Sequence, residues 1–162
     1  MKSQHYKGIV IAQSPKAVPL WEKVLSEIKP KRIIEIGTYR WGMSLFFSEH
    51  CKEFYTYDIK YHTYRPEKFP PRTKLLEQFK KADVFKIEDD IGTLIQKPGT
   101  TLVFCDGGDK TKELELFADW LKPGDYIAVH DWGTEVTSFP FFLKERFSKE
   151  CDEEGMTRIF YA

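Results

Sequence analysis

Carboxylates stand directly after one apolar run after another in this chain. Asp58 follows "EFYTY", Glu88 and Asp89 follow "DVFKI", Asp106 follows "TTLVFC", and His130–Asp131 follow "DYIAV". Glu35 lies within "RIIEI", followed by Gly37, Thr38 and, beyond Trp41, Gly42. A carboxylate such as Asp58, about 20 residues beyond a strand–glycine turn, can accept hydrogen bonds from two ribose hydroxyls. Asp106, His130 and Asp131 can converge on a divalent cation. Oxygen ligands favour Mg²⁺, and a participating imidazole moves the choice toward Mn²⁺ or Fe²⁺. His130 beside an acid can equally serve as a general base. Each residue alone has a structural explanation as a cap, a turn residue or a partner for a nearby carbonyl. Their repetition after successive runs favours a shared site.

Apolar runs alternating with helical patterns must position these groups. "VPLWEKVLSEIKP" spaces Trp21, Val24, Leu25 and Ile28 for one helical face, with Pro19 in the first turn and Pro30 as the stop. "RIIEI", "EFYTYDI", "DVFKI", "TTLVFCD", "DYIAV" and "MTRIFYA" predict strands. "GMSLFFSEHC", "TKLLEQFKKA", "TKELELFADWL" and "FPFFLKERFSKE" predict helices, and "DDIGTLIQ" a short helix or a turn. The order predicts a doubly wound, Rossmann-like α/β fold: a mostly parallel sheet with helices on both faces, over residues 1–162 as a single domain. Ligands of such sheets bind beyond the carboxyl ends of the strands, where the strand order switches. All the acids above would share that rim.

Composition excludes several classes. Lys+Arg and Asp+Glu both number 25, so charge gives no reason to expect nucleic acid or a membrane surface as partner. Three cysteines without metal-ligand spacing point to a reducing compartment, and the N-terminus reads as neither signal peptide nor membrane span. The expectation is a cytoplasmic protein. The turn G-T-Y-R-W-G lacks the middle glycine of a dinucleotide cradle, so a phosphate-free nucleoside with a charged tail suits the rim better. The Pro-rich segment 61–72 reads as a lid with Tyr61 or Tyr64 on the ligand, or as an aromatic face covered in a homo-oligomer.

"IIEIGTYRWGMS", "YTYDIK", "TTLVFCDGG" and "LKPGDYIAVHDW" resemble, in order and spacing, the motifs of class I S-adenosylmethionine-dependent methyltransferases. The look is nearest to small members related to cephalosporin hydroxylase and catechol-type O-methyltransferases, over roughly residues 30 to 132. The resemblance implies cofactor binding by Glu35, Gly37, Thr38 and Gly42 near its amino-acid portion, and by Asp58 at the ribose. It implies Glu88 or Asp89 at the adenine and Asp106 between cofactor and substrate. It also implies catalysis at Asp106, His130 and Asp131, with Mg²⁺ or Mn²⁺ on those same three residues in metal-dependent relatives. The activity implied is methyl transfer to a small molecule, O-methylation among the options. A degenerate cofactor-binding or scaffolding domain and a metal-dependent hydroxylase-like enzyme are the alternatives. Trp41 stands where relatives carry a small residue. It can stack on a ligand, obstruct the cleft or fill space in the core.

Overall fold

In a computed structural model, residues 4–62 and 73–162 are described. Most of the 61–72 loop, including Tyr64, lies outside them. The chain opens with a hairpin, β1 (Gln4–Tyr6) and β2 (Ile9–Ile11), followed by α1 (Ala17–Ile28) and β3 (Arg32–Ile36). Next come α2 (Gly42–His50), β4 (Glu53–Asp58), α3 (Thr73–Gln78) and β5 (Phe79–Lys81). A 3₁₀ turn (Val84–Lys86) leads to α4 (Glu88–Gln96), β6 (Thr101–Cys105), α5 (Lys110–Ala118) and β7 (Tyr126–Val129). The chain closes with β8 (Lys144–Arg146), α6 (Ser148–Glu154) and β9 (Arg158–Tyr161).

Seven strands form one sheet in the order β5-β4-β3-β6-β7-β9-β8. The first five are mutually parallel, and β9 runs antiparallel to both β7 and β8. The expected doubly wound α/β fold is therefore present. Alternation along each strand sends side chains to two cores. Ile33, Leu102, Phe104 and Ala128 pack with α1, α2 and α6, whereas Ile34, Val103, Cys105 and Ile127 pack with α4 and α5. β3 lies between β4 and β6, so the strand order reverses there and the crevice opens beyond Ile36 and Cys105.

Four sequence expectations fail, each for a local reason. "DVFKI" is not a strand, because the Asp83 side chain accepts from the Phe85 N–H (3.2 Å) and winds the 3₁₀ turn. Glu88 and Asp89 consequently occupy the first turn of α4 rather than a strand end. The "TKLLEQFKKA" helix stops at Gln78, where Phe79–Lys81 pair with β4 and Phe79 buries its ring against Trp41. "FPFFLKERFSKE" is broken by pairing too: Lys144–Arg146 add to β9, Phe139 stacks on Phe160 at 4.4 Å, and α6 begins only after Phe147 at φ 63°. The N-terminal hairpin was not expected. Its two-residue turn, Lys7–Gly8, has positive φ at both positions, the geometry favoured between two twisted strands.

Candidate active site

Two adjoining cavities occupy the switch-point crevice. The first, about 500 Å³, is lined by the end of β4 with Tyr57, Asp58 and Ile59, by Asp83 and Phe85 after β5, and by the 106–109 turn after β6. The second, about 910 Å³, is lined by residues 10–15, the 37–43 turn, Asp106, Lys110, His130, Asp131 and residues 154–156. Gly37, Tyr39 and Asp106 line both, so the chambers meet at the centre of the sheet. The acids of β3, β4, β6 and β7 do not behave alike there.

Asp58 keeps its expected place. Its Oδ2 accepts from the Tyr39 N–H (3.0 Å) and its Oδ1 from the Lys60 N–H (3.2 Å), which fixes the carboxylate at the wall of the first cavity. His62 Nε2 lies 3.4 Å from Oδ2. An ionised carboxylate has further lone pairs to offer a ligand hydroxyl. Glu88 and Asp89 are not part of the wall; Asp83 and Phe85 take that position, because the strand ends at Lys81 and the 3₁₀ turn follows it.

Glu35 is only 1% exposed and lines neither cavity. Ser44 and Thr56 donate to its Oε2, and Thr38 closes the network through Thr56 at 2.6 Å. Burial lifts its pKa to about 8 against the lowering effect of those hydrogen bonds. A folded-state pKa raised above the ordinary 4.5 means stability present at low pH and lost as pH rises toward about 8. Glu35→Gln keeps an acceptor without the charge. Between about pH 4.5 and 8 the variant should lose less stability than wild type in urea unfolding.

Glycine is required at 37 and 42 by protein, not by space for a ligand. Gly37 has φ 96°, and a Cβ there would run into the Asp106 carbonyl; at Gly42 it would strike the Val10 carbonyl of the hairpin. Trp41 is 1% exposed and tilts against Phe79 with ring centroids 4.9 Å apart. It packs in the core rather than standing across the cleft. Tyr39 (φ 40°), Trp41 (φ 67°) and Asp131 (φ 57°) share the left-handed backbone region, a concentration of strain on the rim where function is expected.

The 106–109 turn is organised by Glu113, a residue the sequence did not single out. Its carboxylate accepts from the Gly107 N–H (3.1 Å) and the Asp109 N–H (3.4 Å). Burial raises its pKa to about 7, with both N–H groups and Lys110 opposing the shift. Asp106 Oδ2 accepts from Gln13 Nε2 at 2.9 Å, so the segment after the hairpin reaches across to the rim.

β6 and β7 are neighbours, and their ends bring the expected trio together: the ligand atoms of Asp106, His130 and Asp131 lie within 4.8 Å of one another. His130 Nδ1 is 3.3 Å from Asp106 Oδ1 and 3.2 Å from Asp131 Oδ1. Burial pushes the imidazole pKa down, but the hydrogen bond and charge of Asp106, with Asp131 and Glu154 behind it, outweigh this and hold it above 6.5. Nε2, the other ring nitrogen, is buried without a partner. One ring nitrogen is thus oriented by carboxylates, and the other is unpaired and enclosed by the protein.

The trio has donors enough for a metal, but each of its carboxylate oxygens already faces a cation or a hydrogen-bond donor. Lys110 Nζ lies 3.0 Å from Asp131 Oδ2, Gln13 holds Asp106 Oδ2, and His130 faces the two remaining carboxylate oxygens. Mg²⁺ or Mn²⁺ would have to displace Lys110 and turn the imidazole, so this arrangement does not fit a divalent ion.

With that geometry in view, the comparisons with known proteins decide the family. The model of the rhamnosyl O-methyltransferase/CmcI family matches residues 1–150. The chain belongs to that family. It is thereby a class I S-adenosylmethionine-dependent methyltransferase by descent and fold. A solved structure of CmcI with SAH superposes with a TM-score of 0.66 at 15% identity, covering 96% of this chain and 81% of the other. A structure of CmcI with Mg-SAM gives 0.56 at 17% identity, covering 79% of this chain and 57% of that one. An S-adenosyl-L-methionine methyltransferase from Silicibacter pomeroyi DSS-3 gives 0.57 at 16% identity, covering 90% and 93%. At these identities the structures speak for the fold alone. No curated protein matches.

The family assignment leaves the local corrections standing. The walls of the second cavity at 10–15 and 154–156 lie outside the motifs at residues 30–132, and nothing in their composition marks them as site residues. In the 132–140 segment, Trp132 and Phe139 pack on Phe160. Tyr61 lies against Phe79 at 4.8 Å, beside the first cavity rather than within its lining. Cys51, Cys105 and Cys151 are free and buried. Among the described residues no helix is long and apolar enough to cross a membrane.

Proposed function

We propose that this chain, as one methyltransferase-type domain, transfers a methyl group from S-adenosylmethionine to a hydroxyl of a small molecule. The observation that carries the reading is the pair of cavities meeting at Gly37, Tyr39 and Asp106, with Asp58 in one and His130 in the other. The first cavity suits an adenosine in size, with apolar Ile59, Val84 and Phe85 available to a base and Asp58 to the ribose hydroxyls. When bound, S-adenosylmethionine supplies an electrophilic sulfonium methyl group. The protein's own part is to align the acceptor and take its proton.

His130 Nε2 takes the acceptor hydroxyl's proton as the oxygen attacks. Asp106 and Asp131 hold Nδ1 and stabilise the imidazolium that forms. The family's name, rhamnosyl O-methyltransferase/CmcI, points to sugar hydroxyls as the acceptor class. A cytoplasmic setting and a homo-oligomer complete the proposal. The sequence had offered Mg²⁺ or Mn²⁺ on Asp106, His130 and Asp131; no step here is routed through an ion.

The ribose assignment has a direct test. Asp58→Ala should weaken SAH binding by roughly 1.5–3 kcal/mol, the worth of hydrogen bonds to a charged group. Titration calorimetry would show it, and equal affinity of variant and wild type would remove Asp58 from the site.

A further inference from the structure

We infer that Lys110 is the resident cation of the Asp106–His130–Asp131 cluster, filling the electrostatic place a divalent metal would take. Lys110 opens α5, and its side chain is only 8% exposed. A buried ammonium at a helix N-terminus is doubly disfavoured, by desolvation and by the positive end of the helix dipole. Three carboxylates offset that cost. Nζ lies 3.0 Å from Asp131 Oδ2, 2.9 Å from Glu135 Oε2 and 4.0 Å from Asp106 Oδ1, and it also donates to the Gly107 carbonyl at 3.0 Å.

These contacts use up the ammonium's donors within the protein, so Lys110 is a positioning residue and not a group that touches the acceptor. It neutralises the acids, ties the 106–109 turn to the 131–135 turn and keeps Asp131 aimed at His130. The other three carboxylate oxygens of Asp106 and Asp131 face Gln13 or His130. A divalent ion entering here meets an ammonium about 3–4 Å from each ligand carboxylate, a like-charge contact too close for solvent to screen well. What the charge accomplishes in the reaction rests on the methyl-transfer reading; where it sits does not.

The test uses Mn²⁺ alone as probe, followed by the loss of its free-ion paramagnetic resonance signal. Wild type should sequester no Mn²⁺ at millimolar concentration. Lys110→Ala and Lys110→Met vacate the position and should bind Mn²⁺ at least roughly tenfold more tightly, by the removal of one like charge from the cluster. Lys110→Arg retains the charge and should stay metal-free. Micromolar binding by wild type would overturn the inference by itself, whether or not any variant folds. A variant with native circular dichroism that gains no Mn²⁺ would overturn it as well. SAH calorimetry on the same wild-type sample separates the two proposals: no SAH binding strikes the methyl-transfer reading and leaves the Lys110 result standing.

Discussion

Replacing His130 with alanine should lower the methyl-transfer rate by roughly 10²–10⁴-fold, the usual contribution of a positioned general base. SAH affinity should barely move, because His130 lines the second cavity and not the first. The rate is read as SAH released with any acceptor the wild type methylates. The base must be neutral to act, and the carboxylates hold its pKa above 6.5. Activity should therefore climb with pH and level off above that raised value. Asp106→Asn removes the leading attraction and should move the rise to lower pH. Stability runs the other way. A histidine whose folded pKa is raised contributes stability fully present below its unfolded pKa and lost as pH rises through the folded one. An unaltered rate in His130→Ala would remove the base from the mechanism.

The second large effect is on folding. Trp41→Ala should cost about 3–5 kcal/mol, the range for emptying a buried tryptophan site. The indole tilts against Phe79 and belongs to the same buried core as Ile9 and Ile11 of the hairpin. Its positive φ is strained for any residue with a Cβ, so alanine inherits the strain without the packing. Urea unfolding measures the loss. A variant with nearly native stability that binds SAH more tightly would mean the ring obstructs the cleft.

How much of this was legible in the sequence follows from the range of the forces involved. Strands buried on both faces need unbroken apolar runs, so "RIIEI", "TLVF" and "YIAV" declared the central sheet, and the switch-point rule then located the rim. Asp58, Asp106, His130 and Asp131 could be placed on that rim because they follow the strand-forming runs "EFYTY", "TTLVFC" and "DYIAV". Glu88 and Asp89 were misplaced because one side-chain hydrogen bond, from the Phe85 N–H to Asp83, decides between strand and 3₁₀ turn. Glu35 shares the motif of the cofactor turn yet spends its chemistry inside the protein, on Ser44 and Thr56. Thr38 and Gly42, by contrast, line the second cavity while also meeting Thr56 and the Val10 carbonyl. Gln13 and Lys110 were missed for the opposite reason. Asp106 is 93 residues from Gln13, and Asp131 and Glu135 are 21 and 25 residues from Lys110, so only the folded sheet brings these pairs together. The Lys110 position could have been suspected, since a lysine opening a helix after "DGGD" opposes the dipole and needs acids nearby.

The central claim is that the crevice beyond β3, β4 and β6 receives the cofactor, and amide chemical-shift mapping with SAH tests it most directly. Saturable shifts at Asp58, Ile59, Asp83 and Phe85, continuing to Gly37 and Asp106, are the expected result. Absence of any saturable shift, or shifts clustered away from these residues, would contradict the account.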